Sequence, residues 1–274
     1  MSIAFDSVSA VTPPGGIRLV YRTLGQGEPM LMMHGGSGSW RHWVRNLEAL
    51  AAHFSLVVPD LPGFGDSGDV APDDITLEAY AEQVAPAVQA MMPPGPFHLV
   101  GFSFGGMVGT VLAANLAGRV KRMSLCAPAG FGVPKERRLN RIRRSRSMSA
   151  EELREVYRHN LLEAMVHDPG CIDEGTVSEY QANLELARFR NAYLSRGEHT
   201  AAYLARCAMP IQVCWGLQDR IDLPAIEARG AECQRVNPRV QVRHFDNAGH
   251  WVQFEQAEAV NAWLLDFHRA PDGA

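Results

Sequence analysis

Three side chains able to support nucleophilic catalysis sit just beyond three apolar, strand-like runs. They are Ser103 in Gly101-Phe102-Ser103-Phe104-Gly105-Gly106, Asp219 in Gly216-Leu217-Gln218-Asp219, and His250 in Asp246-Asn247-Ala248-Gly249-His250. A serine hydroxyl is a poor nucleophile at neutral pH. It needs a base within hydrogen-bond reach, and the base needs a carboxylate to hold its tautomer. The chemistry open to such a trio is acyl transfer through a covalent serine intermediate.

The surroundings of Ser103 give it a shape. An apolar run, Phe97 to Val100, meets Gly101, and a helix-compatible run extends from Met107 to Leu116. A strand, a sharp turn and a helix push the central residue toward strained backbone angles and leave it exposed at the tip. Phe104 opens the helix, so its N–H has no partner within the helix and can face a developing negative charge. G-x-S-x-G alone would arise by chance in roughly one such chain in ten, so its context has to carry the argument. A second glycine-rich loop, His34-Gly35-Gly36-Ser37-Gly38-Ser39, follows the apolar run Pro29–Met33.

The elements that would position these loops read in order. Residues 3–11 and 17–23 form an opening hairpin that turns at Pro13-Pro14-Gly15-Gly16. Strands are expected over 29–33, 54–58, 97–100, 120–126, 210–215 and 240–245, and helices over 40–52, 76–92 and 107–116. Further helices are expected from about Pro224 to Arg235 and from Trp251 to His268. Asp60-Leu61-Pro62-Gly63-Phe64-Gly65 must be a shaped loop. Strands alternating with helices indicate a mostly parallel sheet covered on both faces, whose strand ends share one ligand-binding edge. The rhythm breaks over 133–207, where Ser149-Ala150-Glu151-Glu152 supplies a capping box and a second helix covers about Thr176 to Tyr193. The chain therefore divides into a core, 1–132 with 208–274, and a helical insert, 133–207.

Composition excludes several classes. With 46% hydrophobic residues in 274 and a net charge of −4, nothing asks for a nucleic acid or another polyanion. The seven Lys or Arg between Lys135 and Arg146 read as a solvated face. Five scattered cysteines form no C-x-x-C pair, which fits a reducing, cytoplasmic setting. No signal peptide or membrane span is expected. There is no metal-ligand spacing and no dinucleotide fingerprint, so no cofactor is expected; a homodimer is compatible with the sequence but not required by it.

Over its whole length the chain resembles α/β-hydrolase fold enzymes. The resemblance rests on His34-Gly35-Gly36, Asp60-Leu61-Pro62-Gly63-Phe64-Gly65, Gly101-Phe102-Ser103-Phe104-Gly105-Gly106 and Gly249-His250. It implies an α/β fold with a mostly parallel eight-stranded sheet and an inserted helical cap. It also implies Ser103 as nucleophile, His250 as general base and later acid, Asp219 as orienting carboxylate, and the N–H groups of Gly36 and Phe104 as the oxyanion hole. The order Ser, Asp, His is the one this fold requires. Asp222 is the rival carboxylate, read here as a helix-start residue beside Pro224. His34 is read as a buttress of the glycine loop. Candidate substrate contacts are Gly35, Ser37, Trp40, Phe102, Arg188, Arg190 and Trp251.

A serine nucleophile disfavours dehalogenase and epoxide hydrolase chemistry and leaves acyl transfer to water. The run Gly249-His250-Trp251-Val252-Gln253-Phe254-Glu255 is similar to that of meta-cleavage product hydrolases, which cleave a C–C bond. Those enzymes carry asparagine before the serine, where this chain has Phe102, and a cap-helix arginine, for which Arg188 and Arg190 are the nearest counterparts. A carboxylesterase or lactonase, a C–C hydrolase and a ligand receptor that retains the triad are the three readings open at this point.

Overall fold

The computed structural model describes residues 3–72, 74–116, 118–132 and 139–271. Lys135, Arg137 and Arg138 of the basic run, and the expected start of the insert at 133, lie outside the described residues.

Strands β1 (Ser7–Val11), β2 (Leu19–Leu24), β3 (Glu28–Met33), β4 (Phe54–Pro59), β5 (Phe97–Phe102), β6 (Val120–Cys126), β7 (Ile211–Gly216) and β8 (Val240–Phe245) form one sheet. Their spatial order is β1-β2-β4-β3-β5-β6-β7-β8. β1 with β2 and β2 with β4 pair antiparallel, and every later pair is parallel. β5 and β7 are buried at every position, which is why they appear in sequence as unbroken apolar runs. β1 alternates half-buried with exposed residues, as an edge strand with one wet face does.

The helices are α1 (Leu47–Ala51), α2 (Leu77–Met91), α3 (Ser103–Asn115), α4 (Ala150–Ala164), α5 (Glu174–Glu185), α6 (Thr200–Leu204), α7 (Ile226–Val236), α8 (Val252–Glu255) and α9 (Ala257–His268). Between β6 and β7 the described residues form helices and turns only. The capping box at Ser149 and Glu152 is present in both directions.

Three expected helices are shorter or broken, and in the insert the cause is a pair of backbone N–H groups that find a partner outside the helix. Over 40–52 the chain makes a 3₁₀ turn, Trp40–Trp43, and then α1. Buried Asn46 stands between them, donating to Gln253 O at 2.9 Å and Asn261 Oδ1 at 2.7 Å. The C-terminal helix divides at Gln256 into α8 and α9. The insert's second helix stops at Glu185, because the N–H groups of Arg188 and Phe189 turn to Gly63 O at 2.8 and 3.0 Å. A 3₁₀ turn, Asn191–Arg196, follows.

Candidate active site

The parallel strands deliver Gly36 after β3, Ser103 after β5, Asp219 after β7 and His250 after β8 to one edge. Ser103 starts α3 with φ +48°, a left-handed conformation that a non-glycine residue holds only when its surroundings impose it. Neighbouring glycines permit the turn: a Cβ on Gly101 would lie 2.6 Å from the Gly106 α-carbon, and one on Gly105 only 2.5 Å from Met33 O.

His250 Nε2 is 2.9 Å from Ser103 Oγ, and His250 Nδ1 is 2.7 Å from Asp219 Oδ2. Asp219 is fully buried, and its other oxygen accepts the Ile221 N–H at 2.8 Å. The carboxylate on Nδ1 leaves the Nε2 lone pair to face the serine hydroxyl. Burial alone would depress the His250 imidazole, but the charge and hydrogen bond of Asp219, with the charge of Asp222, outweigh it and raise the group above its ordinary 6.5.

Asp222 is oriented differently. It is ion-paired with buried Arg229 and accepts the Trp215 indole N–H at 3.1 Å. Burial first, and then the charge of Asp219, push its carboxyl up to about 6. Arg229 in turn donates to Gly132 O at 2.9 Å. Asp219, Asp222 and His250 each offer a donor atom within 4.8 Å of the others. The hydrogen bonds and ion pair just described already engage all three.

The glycine-rich loop after β3 is braced by two histidines. His34 Nε2 accepts the Leu61 N–H at 2.8 Å, so its proton sits on Nδ1 and goes to Gly35 O at 2.8 Å. His34 thus ties the loop to Asp60–Gly65. Sequence reasoning missed His42, whose Nδ1 accepts the Gly35 N–H at 3.1 Å. Burial, then the charges of His34 and His250, hold His42 well below the ordinary value, so it is a neutral brace. Its signal in the sequence was the Ser39-Trp40-Arg41-His42-Trp43 run, which the helical spacing of the two tryptophans obscured.

A cavity of about 290 Å³ opens over Ser103 and His250. Gly36, Ser37 and Phe102 line it as expected. The other expected contacts do not. Gly35 lies behind Phe102 and Ser103. Trp40 packs on Phe5 and between the Arg22 and Arg41 guanidinium groups. Trp251 is fully buried, stacked on Phe254 at 4.1 Å with its N–H on His42 O at 2.9 Å. Arg188 is paired with Asp69 and donates to Gly65 O and Ser67 O, and it lines a separate cleft with Arg190. In their place the insert supplies Arg141, Ala164, Tyr180, Leu184, Asn191 and Arg196 to the wall. The side chains of Arg141 and Arg196 form no hydrogen bond or ion pair with the described residues, and Arg141 lies within electrostatic reach of Tyr180.

Residues 28–257 match the model of the alpha/beta hydrolase fold family. The chain belongs to that family, and it is a hydrolase. Among curated relatives, the dihydrolipoyllysine-residue acetyltransferase component of the acetoin cleaving system of Cupriavidus necator is 30% identical over 262 residues. That match covers 91% of this chain but only 66% of the relative. The 2-hydroxy-6-oxo-6-phenylhexa-2,4-dienoate hydrolase of Burkholderia cepacia is 28% identical, with 91% of each chain covered. A solved structure from Burkholderia cenocepacia, assigned as an aryl esterase, superposes with a TM-score of 0.79 at 24% identity. It covers 96% of this chain and 98% of that one. None of the helices among the described residues is long and apolar enough to cross a membrane.

Proposed function

We propose that this hydrolase cleaves small ester-like substrates, carboxylesters or lactones, by acyl transfer from Ser103 to water. The observation that carries the reading is the line from Asp219 Oδ2 through His250 to Ser103 Oγ, at 2.7 and 2.9 Å. In this mechanism His250 Nε2 takes the hydroxyl proton as Ser103 Oγ attacks the carbonyl carbon. The oxyanion is held by the N–H groups of Gly36 and Phe104, and His250 returns the proton to the departing alcohol. Water then enters, loses a proton to the same nitrogen and releases the acid. Asp219 keeps the imidazole in the required tautomer throughout. The 133–207 segment acts as a cap, closing a cavity whose size suits a short acyl or aryl group and whose Arg141 and Arg196, without an ion-pair partner among the described residues, favour a polar or anionic far end over a long alkyl chain.

The test is hydrolysis of short p-nitrophenyl esters. Ser103→Ala is expected to lower kcat/KM at least about a thousandfold; full activity in that variant would sink the assignment, and no turnover by the wild type would favour a receptor role. C–C hydrolysis is the second reading, favoured by the dienoate hydrolase relative and the Gly249–Glu255 run. Against it stand apolar Phe102 in the cavity wall and Arg188 engaged elsewhere. Stopped-flow absorbance with a ring-fission dienoate decides, since an unchanged dienolate band removes this reading.

A further inference from the structure

We propose that the Asn191 carboxamide is a third hydrogen-bond donor for the oxyanion, contributed by the insert to the site that Gly36 and Phe104 begin. The inference rests on the acyl-transfer reading and deepens it. A Cβ placed on Gly36 would lie 2.4 Å from Asn191 Nδ2, 2.8 Å from Oδ1 and 2.9 Å from Cγ. The carboxamide therefore meets the Gly36 α-carbon with its terminal nitrogen and oxygen edge, its Cγ lying farthest away. A Cβ and the backbone nitrogen of its own residue are about 2.5 Å apart, so Asn191 Nδ2 is no more than about 5 Å from Gly36 N. Two donors that share one oxygen, each about 2.9 Å from it, stand at most about 5.8 Å apart. One oxygen can thus accept from both.

The hydrogen-bond pattern sets which end of the amide does this. Ser195 Oγ donates to Asn191 O at 3.4 Å and so receives one Nδ2 hydrogen at 3.3 Å. The second Nδ2 hydrogen has no acceptor among the described residues, and Asn191 lines the cavity with Ser103 and His250. The segment just before Asn191 is firmly held. Arg188 and Phe189 donate backbone N–H groups to Gly63 O, and the Phe189 ring packs on Tyr80 at 5.3 Å and Phe104 at 6.4 Å. The same stretch of insert therefore touches both residues whose N–H groups form the oxyanion hole. A donor fixed in advance strengthens as negative charge develops on the carbonyl oxygen.

Two variants test the proposal on p-nitrophenyl esters. Asn191→Ala should lower kcat roughly ten- to a hundredfold with KM near the wild-type value, and should weaken a trifluoromethyl ketone inhibitor by the same factor. Asn191→Asp keeps the shape but sets a carboxylate beside the developing charge. At alkaline pH it should be slower than the alanine variant, and its rate relative to wild type should recover as the pH is lowered and the carboxylate takes up a proton. A wall-filling role predicts the reverse order, with the isosteric aspartate nearer to wild type. An unchanged kcat in Asn191→Ala, or an aspartate variant at least as active as the alanine one at alkaline pH, overturns the proposal. Should Asn191→Ala fail to fold, the aspartate variant and its pH profile decide alone. Failure of the underlying reading looks different: the wild type would then leave esters untouched, or would match Ser103→Ala.

Discussion

The two ends of β5 carry histidine networks of opposite character. At the carboxyl end, Ser103 meets His250, whose other nitrogen faces the buried Asp219 carboxylate. At the amino end, His98 Nε2 contacts Glu28 Oε2 at 2.7 Å and its Nδ1 meets His268 Nδ1 at 2.9 Å. His268 Nε2 then meets Ser124 Oγ at 2.8 Å, which accepts from Gln212 Nε2 at 2.8 Å. Only one proton arrangement satisfies this second chain. Gln212 donates to Ser124, Ser124 to His268, His268 to His98, and His98 to Glu28, so both rings are neutral and every step points the same way. Burial is the largest influence in both networks, but only in the one beside Ser103 do carboxylates overcome it. His98 and His268 are held below 6.5 and His250 above it. His98 and His250 each face a carboxylate, but Glu28 is largely exposed where Asp219 is fully buried, so a histidine's role depends on how well its carboxylate partner is shielded from water, not on its own depth alone.

The sharpest way to break this contrast is a pair of substitutions. His250→Gln should cut kcat/KM about ten-thousandfold and leave the melting temperature nearly unchanged. His268→Leu should do the reverse. It strands the Ser124 hydroxyl and His98 Nδ1 in the interior, each buried orphan costing about 1–3 kcal/mol, and should lower the urea midpoint while kcat/KM holds. A large loss of activity in His268→Leu would show that the two ends are coupled.

The smallest effect is in pH dependence, and the two networks pull it in opposite directions. A histidine lowered on folding contributes stability that is present above 6.5 and lost as the pH falls toward its folded value. His98 and His268 are of this kind, as are His34 and His42. His250, raised on folding, contributes stability that is fully present below 6.5 and lost as the pH climbs through its folded value. The melting temperature should therefore drop on acidification below 6.5, and His268→Leu should flatten that drop. The rate should move the other way in its own window: kcat/KM rises with pH through a value above 6.5, because only neutral His250 can accept the Ser103 proton. A melting temperature in the wild type that is insensitive to acid would contradict the neutral chain.

Much of this was legible in the sequence, for a physical reason. Strands buried on both faces are written as unbroken apolar runs, and the residue just past each run lands on the shared edge. That logic places Ser103, Asp219 and His250 at one edge from sequence alone. His34 was read correctly for a related reason, since it closes such a run. The unread features depend on contacts between distant segments. Asn191 meets Gly36 across 155 positions of chain, and no local period announces it. Trp251 and Trp40 adjoin cavity motifs in the sequence, yet each turns inward to aromatic or cationic neighbours. Arg188 has the type expected of a substrate anchor, but the carbonyls of Gly65 and Ser67 and the carboxylate of Asp69 already occupy it.

The left-handed backbone at residue 103 has a cost that outlives the chemistry it serves. Glycine adopts that geometry without strain, and relieving one such residue is worth on the order of 1 kcal/mol. On the proposed mechanism a Ser103→Gly protein would have no nucleophile and yet would resist heat about as well as its parent, or slightly better. Any search of variants that rewards thermal tolerance alone would therefore retain, and even enrich, molecules that have lost the ability to turn over a substrate.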